Sequence, residues 1–192
     1  MGTKPSYLGL LNAIANAECQ AHAYLSVWAD VTPRDDVRNV LRTVAAREGE
    51  HGMSFAKRIN ELGFHVRDRE DPNFEKKMAI VRSDCSDLEK MERLQLQKLD
   101  TGDRPDIFDD FFKDHTIDIR TGELLGRYIA EERDTARLLR SCYEQLKAGA
   151  SSSGTVDAGA LRSVEDKVDA LCRAVEELRQ IVCAQAMPAN AE

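Results

Sequence analysis

The chain has 192 residues, of which 42% are hydrophobic, and a formal net charge of −7. This length and apolar content are enough for one substantial core with a short appended element, but hardly for a second full domain. The acidic balance argues against a surface built to coat nucleic acid. The 5 cysteines include no C-x-x-C pair, which favours neither a disulfide framework nor a thiolate metal centre. No uncharged run approaches the roughly 20 residues of a membrane helix, so we expect a cytoplasmic protein with no nucleic-acid or membrane partner.

Helical periodicity dominates the first third of the chain, where apolar residues recur at spacings of three and four. The first predicted helix covers residues 7–30 and stops at the Thr32–Pro33 step. The second begins at Asp35, which suits a helix start, and stops at Gly63, which suits a helix end. With only 5 prolines and 11 glycines in the chain, long helices are the expected elements. The sequence therefore predicts an all-α fold.

The rest of the chain continues this pattern up to a change in composition near residue 148. A third helix is predicted over residues 78–99 and a fourth over 119–147, with a short helix or irregular lead-in at 106–118. We expect a helical bundle over residues 5–148, a flexible Ser/Gly linker over 149–160 and a coiled-coil helix over 161–184. The last segment is expected to make the chain a homo-oligomer, either as a parallel dimer or as a larger assembly. The alternative is that its apolar face docks on the bundle.

An internal repeat relates the second predicted helix to the fourth. An offset of 84 residues carries Glu48 onto Glu132 and His51 onto Thr135, and it also superimposes apolar positions. The apolar pairs include Leu41 with Leu125, Ala45 with Ile129, Phe55 with Leu139 and Leu62 with Leu146. Both helices are therefore expected to turn the same kind of face toward the core.

Three glutamates lie on these apolar faces: Glu18 in the first helix, Glu48 in the second and Glu132 in the fourth. An ionised carboxylate is costly to bury unless something compensates its charge. Glu48 and His51 are three residues apart, so they share a helix face and can ligate one metal ion. Carboxylate and imidazole together suit iron, manganese or zinc. A single Glu-x-x-His pair is common on solvated helices, but its combination with Glu18 and Glu132 indicates a metal site.

The segments 16–21 (Asn-Ala-Glu-Cys-Gln-Ala) and 46–52 (Ala-Arg-Glu-Gly-Glu-His-Gly) carry a family likeness over residues 7–147. Four long helices, with a Glu in the first and Glu-x-x-His in the second, resemble the ferritin-like di-iron carboxylate family, rubrerythrins in particular. The separation of 30 positions between Glu18 and Glu48 is also similar to that in encapsulated ferritins. The resemblance implies a ferritin-like four-helix bundle with two bridged iron ions, which reacts with oxygen or peroxide and oxidises ferrous iron. It leaves open a protein shell or an electron-donor partner.

The chain departs from the family pattern at two ligands. The second Glu-x-x-His would need a histidine at Thr135, and either Asp134 or His22 offers a substitute ligand. The family pattern also expects a glutamate ligand in the third helix. We prefer Glu92 for this ligand, and the carboxylate of Asp84 is the alternative. The expected metal ligands are therefore Glu18, Glu48, His51, Glu132 and Glu92. Tyr24 and Tyr128 are candidates for hydrogen bonds to these carboxylates, with core packing as the alternative.

These residues lead to two function hypotheses of different class. The first is a non-haem iron protein, di-iron in the family pattern, that acts as a ferroxidase or peroxidase-type oxidoreductase. Manganese or zinc could replace the iron. No catalytic residue is assigned. The second is a non-catalytic ferritin-like scaffold or interaction protein with a degenerate or mononuclear metal site, oligomerised by its C-terminal helix. Iron storage within a larger shell is a third possibility.

Overall fold

The structure is a computed structural model that describes residues 4–98 and 110–152. Over these residues the chain is all-helical and has no strand, which confirms the all-α prediction. Five α-helices follow in chain order: α1 (Leu8–Val31), α2 (Asp35–Glu61), α3 (Phe74–Arg82), α4 (Asp87–Arg93) and α5 (Ile119–Ser152). Short 3-10 turns lie at Leu96–Lys98 and Phe111–Lys113. None of these helices is long and apolar enough to cross a membrane.

The first two helices begin within one residue of their predicted starts and end within two residues of their predicted stops. α1 stops where Thr32, before Pro33, takes an extended conformation while its N–H still bonds to the Trp28 carbonyl at 3.0 Å. α2 ends at Glu61, and two residues later Gly63 has a φ of +83°, in the left-handed region that glycine adopts without strain. The turn signals in the sequence therefore fix both elements.

α1 and α2 run antiparallel and approach each other closely through two glycines. Gly49 of α2 faces the imidazole of His22, and one turn later Gly52 faces Cys19. A Cβ atom at Gly52 would lie 2.7 Å from the Cys19 sulfur and 3.3 Å from its backbone nitrogen. The glycine is therefore what lets the two helix backbones approach at this level.

α5 packs parallel to α1. At the start of both helices, the Tyr7 hydroxyl donates to Asp118 at 2.7 Å, and about three turns on the Tyr128 hydroxyl donates to Glu18 at 2.9 Å. Asp118 also caps α5, because its carboxylate accepts the N–H groups of Arg120 and Thr121 at 3.0 and 3.1 Å.

α2 runs antiparallel to α5. Arg58, late in α2, donates to Asp118 at 2.8 Å, whereas Arg47, earlier in α2, donates to Asp134 at 2.9 Å. Three long helices therefore place their central residues side by side.

The predicted third helix is divided into α3 and α4, which corrects the expectation of one helix over residues 78–99. Ser86 begins α4 with a capping box: its hydroxyl accepts the Glu89 N–H, and the Glu89 carboxylate accepts the Ser86 N–H. The buried Asp87 carboxylate then accepts hydrogen bonds from Trp28 Nε1 and Thr32 Oγ1, both at 2.7 Å. The chain breaks because local capping and these two bonds hold α4 against the end of α1.

Buried apolar side chains form two clusters, one on each side of the middle of the long helices. One cluster gathers the second half of α1 and the first half of α2, with Trp28, Leu41, Val81, Met91 and Leu139 among its members. The other gathers the first half of α1 and the second half of α2, with Leu11, Phe55, Ile59, Leu125 and Ile129 among its members. Between the two clusters lies a layer of buried polar residues.

The chain divides into two compact units, Met1–Lys147 and Ala148–Glu192. Of the second unit the structure describes residues 148–152, which are the end of α5 beyond its predicted stop at 147. The remainder of the predicted linker and the predicted coiled-coil helix at 161–184 lie outside the described residues.

Candidate metal centre

Four of the five predicted metal ligands converge in the polar layer. Glu18 comes from the middle of α1, Glu48 and His51 from the middle of α2, and Glu132 from α5. One ligand atom from each side chain lies within 4.8 Å of those of the other three. Glu18 and Glu48 are each 5% exposed and His51 is 3% exposed, so the group is enclosed. The three helices thus bring three carboxylates and one imidazole into a compact group.

Three atoms of this group are buried without a hydrogen-bond partner: Glu18 Oε2, His51 Nδ1 and Glu132 Oε1. His51 Nδ1 lies 3.8 Å from Glu18 Oε2 and 3.4 Å from Glu132 Oε1, so the three atoms face one another. Burying a polar atom unpaired costs about 1–3 kcal/mol, and more when it is charged. A cation bound between them would remove this cost. Oxygen and imidazole donors are the set that iron, manganese and zinc accept, so these residues fit such an ion.

The second imidazole nitrogen of His51 is held by Glu131, a residue that the sequence did not single out. His51 Nε2 lies 2.6 Å from Glu131 Oε2, and Arg127 Nε holds the other Glu131 oxygen at 3.1 Å. Burial opposes ionisation of Glu131, but the hydrogen bonds from His51 and Arg127 outweigh it and lower its pKa. Because an ionised carboxylate only accepts, Nε2 carries the proton, which leaves Nδ1 to face the other ligands.

Tyr128 supports the group from α5. Its hydroxyl donates to Glu18 Oε1 at 2.9 Å, which is the kind of hydrogen bond to a ligand carboxylate that the sequence suggested for Tyr128. Its ring meets the His51 ring edge-on with centroids 5.0 Å apart, and the Phe55 ring in the same way at 5.2 Å. Tyr24, the other candidate, lies with its ring 5.8 Å from the Lys77 ammonium.

Protons balance part of the charge of this group. Burial and the neighbouring Glu18 raise the pKa of Glu48, and burial also raises that of Glu132. Burial works against a charged His51, but the neighbouring carboxylates of Glu132, Glu18 and Glu131 raise its pKa to about 10. Burial also acts on Glu18, but the neighbouring His51 and Glu48 and the hydrogen bond from Tyr128 outweigh it and lower the pKa of Glu18. Binding of a cation would displace protons from Glu48 and His51.

Thr135 holds the position equivalent to His51 in the internal repeat, and its side chain contacts Arg47. Thr135 is buried, and its hydroxyl accepts a hydrogen bond from Arg47 Nη1 at 2.9 Å. Asp134 pairs with Arg47 Nη2 at 2.9 Å and does not join the ligand group. His22 is exposed and donates its Nδ1–H to the Ala45 carbonyl at 2.7 Å. Neither substitute for a second histidine is therefore brought to the centre.

The structure does not bring Glu92, the fifth predicted ligand, into the group. Glu92 is exposed on α4, where it accepts a hydrogen bond from the Tyr143 hydroxyl at 3.1 Å. Asp84, the alternative, is exposed in the segment between α3 and α4. Both residues were chosen on the assumption of one continuous helix, and the new start at Ser86 removes that assumption.

Fold and site together define a helical protein with a buried carboxylate–histidine cluster of metal-ligand character. Comparison of the chain with models of protein families, with characterised proteins and with solved structures finds no match. The ferritin-like resemblance therefore rests on the helix pattern and on the ligand residues themselves.

Proposed function

We propose that the protein is a ferritin-like non-haem iron oxidoreductase that binds iron through Glu18, Glu48, His51 and Glu132. The observation that carries the proposal is a set of three buried, unpartnered ligand atoms, in which His51 Nδ1 lies 3.8 Å from Glu18 Oε2 and 3.4 Å from Glu132 Oε1. Bound iron would supply the change between two oxidation states through which ferrous iron is oxidised and oxygen or peroxide is reduced. Manganese and zinc are the alternative occupants.

The chain's own residues bind and orient in this proposal. Glu18 and Glu132 would supply anionic oxygens to the ion, and Glu131 accepts the Nε2–H of His51, so Nδ1 is the ring nitrogen that would bind the ion. The Tyr128 hydroxyl donates to Glu18 Oε1 at 2.9 Å and so orients that carboxylate. The two apolar clusters exclude bulk water from both sides of the polar layer, which strengthens electrostatic interactions there.

Anaerobic titration with ferrous iron, followed by exposure to oxygen, tests the proposal. We expect saturable binding and iron oxidation above the buffer rate, and loss of both in the double variant Glu48→Ala/His51→Ala with helicity preserved. The matched control is His65→Ala/Glu75→Ala, which removes an exposed histidine and an exposed glutamate away from the group and should leave both unchanged. A wild-type chain that binds no iron would contradict the proposal.

A second candidate is a non-catalytic protein with a mononuclear or degenerate metal site. The observation that favours it is that the group contains a single histidine, His51, while Thr135 is engaged by Arg47. Redox activity separates the two candidates. If the scaffold is correct, Zn²⁺ and Fe²⁺ should raise the melting temperature alike, and oxygen consumption should stay at the buffer rate.

Assembly belongs to the same proposal. We expect a cytoplasmic homo-oligomer formed through the bundle and the apolar stripe of residues 161–184, with a protein shell or an electron donor as further partners. Light scattering of the full chain and of a chain ending at residue 152 tests this expectation, because loss of the oligomer on truncation would assign assembly to the C-terminal segment.

A further inference from the structure

Arg47 lies beside the ligand group but faces α5. Its Nη1 donates to Thr135 Oγ1 at 2.9 Å and to the Glu131 carbonyl at 3.2 Å, and its Nη2 donates to Asp134 Oδ2 at 2.9 Å. Its side chain is 21% exposed. Three acceptors within about one turn of α5 hold the guanidinium in a single place next to Glu132.

The internal repeat indicates which residue would ligate a second metal ion beside Arg47. In α2, Glu48 is followed three residues later by an imidazole, His51; in α5, Glu132 is followed three residues later by Thr135. A second ion held by Glu132 would take its other ligand from the Thr135 position. That position instead carries a hydroxyl that accepts a hydrogen bond from Arg47.

Arg47 also supplies the charge that a second ion would supply. Its guanidinium contacts the Glu131 carbonyl and the Thr135 hydroxyl, which lie one residue before and three residues after Glu132 in α5. A guanidinium carries a permanent positive charge. It therefore favours the ionised carboxylates and repels a further cation placed beside it.

We infer that Arg47 is a built-in cation that takes the place of a second metal ion, so that the centre accepts one ion per chain. The inference rests on the proposed function, since it specifies how many ions the same group holds. It assigns Arg47 and Thr135 as the residues that determine metal stoichiometry, and it separates this centre from a two-ion centre built on the same helices.

Co²⁺ titration of the full chain, followed by visible absorption and by elemental analysis of the desalted protein, tests the inference. We expect about one ion per chain in the wild type and about two in Arg47→Ala/Thr135→His, which removes the cation and completes the repeat. Two matched controls should stay at one ion: Thr135→His alone keeps the cation, and Arg47→Ala alone lacks the ligand. Arg47→Gln/Thr135→His, which retains a hydrogen-bonding side chain, replaces the double variant if circular dichroism shows that Arg47→Ala unfolds it.

The outcomes separate this inference from the proposed function. Two ions in the wild type, or one in every folded variant, would overturn the role of Arg47 while leaving metal binding intact. No ion in the wild type but two in the double variant would overturn the proposed function and support Arg47 as the group that keeps a second ion out. No ion in either chain would overturn both.

Discussion

The hydrogen bond between His51 Nε2 and Glu131 gives a quantitative prediction for metal affinity. At 2.6 Å it joins a ring nitrogen to an ionised carboxylate, a type of bond that contributes about 1.5–3 kcal/mol. Loss of such a partner typically weakens metal binding by about 10- to 100-fold, or about 1.4–2.8 kcal/mol. Because the Glu131 side chain is 30% exposed, solvent screens the bond. We therefore expect Glu131→Ala to lower the affinity for Co²⁺ or Mn²⁺ by about 10- to 30-fold.

Competition titration against a chelating dye would measure this affinity at fixed pH. Glu131→Gln keeps an oxygen that can accept from Nε2–H, so it should lose less than Glu131→Ala. Glu144→Ala, an exposed glutamate on the same helix, is the matched control and should bind as the wild type does. An affinity of Glu131→Ala within twofold of the wild type would refute the argument that this carboxylate fixes the His51 tautomer.

Three further predictions concern stability, measured by urea denaturation. Asp87→Ala leaves the buried donors Trp28 Nε1 and Thr32 Oγ1 without this acceptor, so it should cost about 2–5 kcal/mol; a cost below about 1 kcal/mol would contradict the role given to these bonds. Although burial opposes ionisation of Asp118, its hydrogen-bond donors hold its pKa below the ordinary value. Its contribution is therefore complete above the unfolded pKa of about 3.9 and is lost as pH falls through the folded value. Asp118→Ala should cost about 1–2 kcal/mol at pH 7 and progressively less below about pH 4, and a constant cost would exclude the charged form as the cause. Gly52→Ala should destabilise by about 1 kcal/mol net, because overpacking against Cys19 outweighs the gain in helix propensity. The matched control Gly126→Ala, which meets no neighbour within 4 Å, should stabilise the protein.

The long helices were predictable because their signals are local. Apolar spacing, the Thr32–Pro33 stop and Gly63 define α1 and α2 without any knowledge of the fold. The third helix was predicted as one element because the apolar repeat continues in phase across the break. Periodicity reports which face is apolar and not whether the backbone is continuous. The Ser-x-x-Glu signature at Ser86 and Glu89 was the signal in the sequence that marked a new helix start.

The ligands themselves were predictable for a related reason. A carboxylate on an apolar stripe is conspicuous in a sequence, and Glu18, Glu48 and Glu132 are brought together as that argument expected. Arg47 and Glu131 each lie one residue away from a ligand, off the stripe, where a charged residue is ordinary. Their roles depend on which sides of α2 and α5 meet, and one-dimensional spacing does not contain that pairing.

Because the ligand layer lies at the centres of α1, α2 and α5, fraying of the helix ends does not reach it. Amide protons near Glu18, His51 and Glu132 should therefore exchange with solvent only when α1, α2 and α5 unfold together. An ion present at 100 times its dissociation constant would add about 2.7 kcal/mol to the cost of that opening. It would slow this exchange about 100-fold, and it would slow cleavage of the open form by proteases to the same degree. Through one small layer of side chains, the supply of metal would then set how long the folded chain survives.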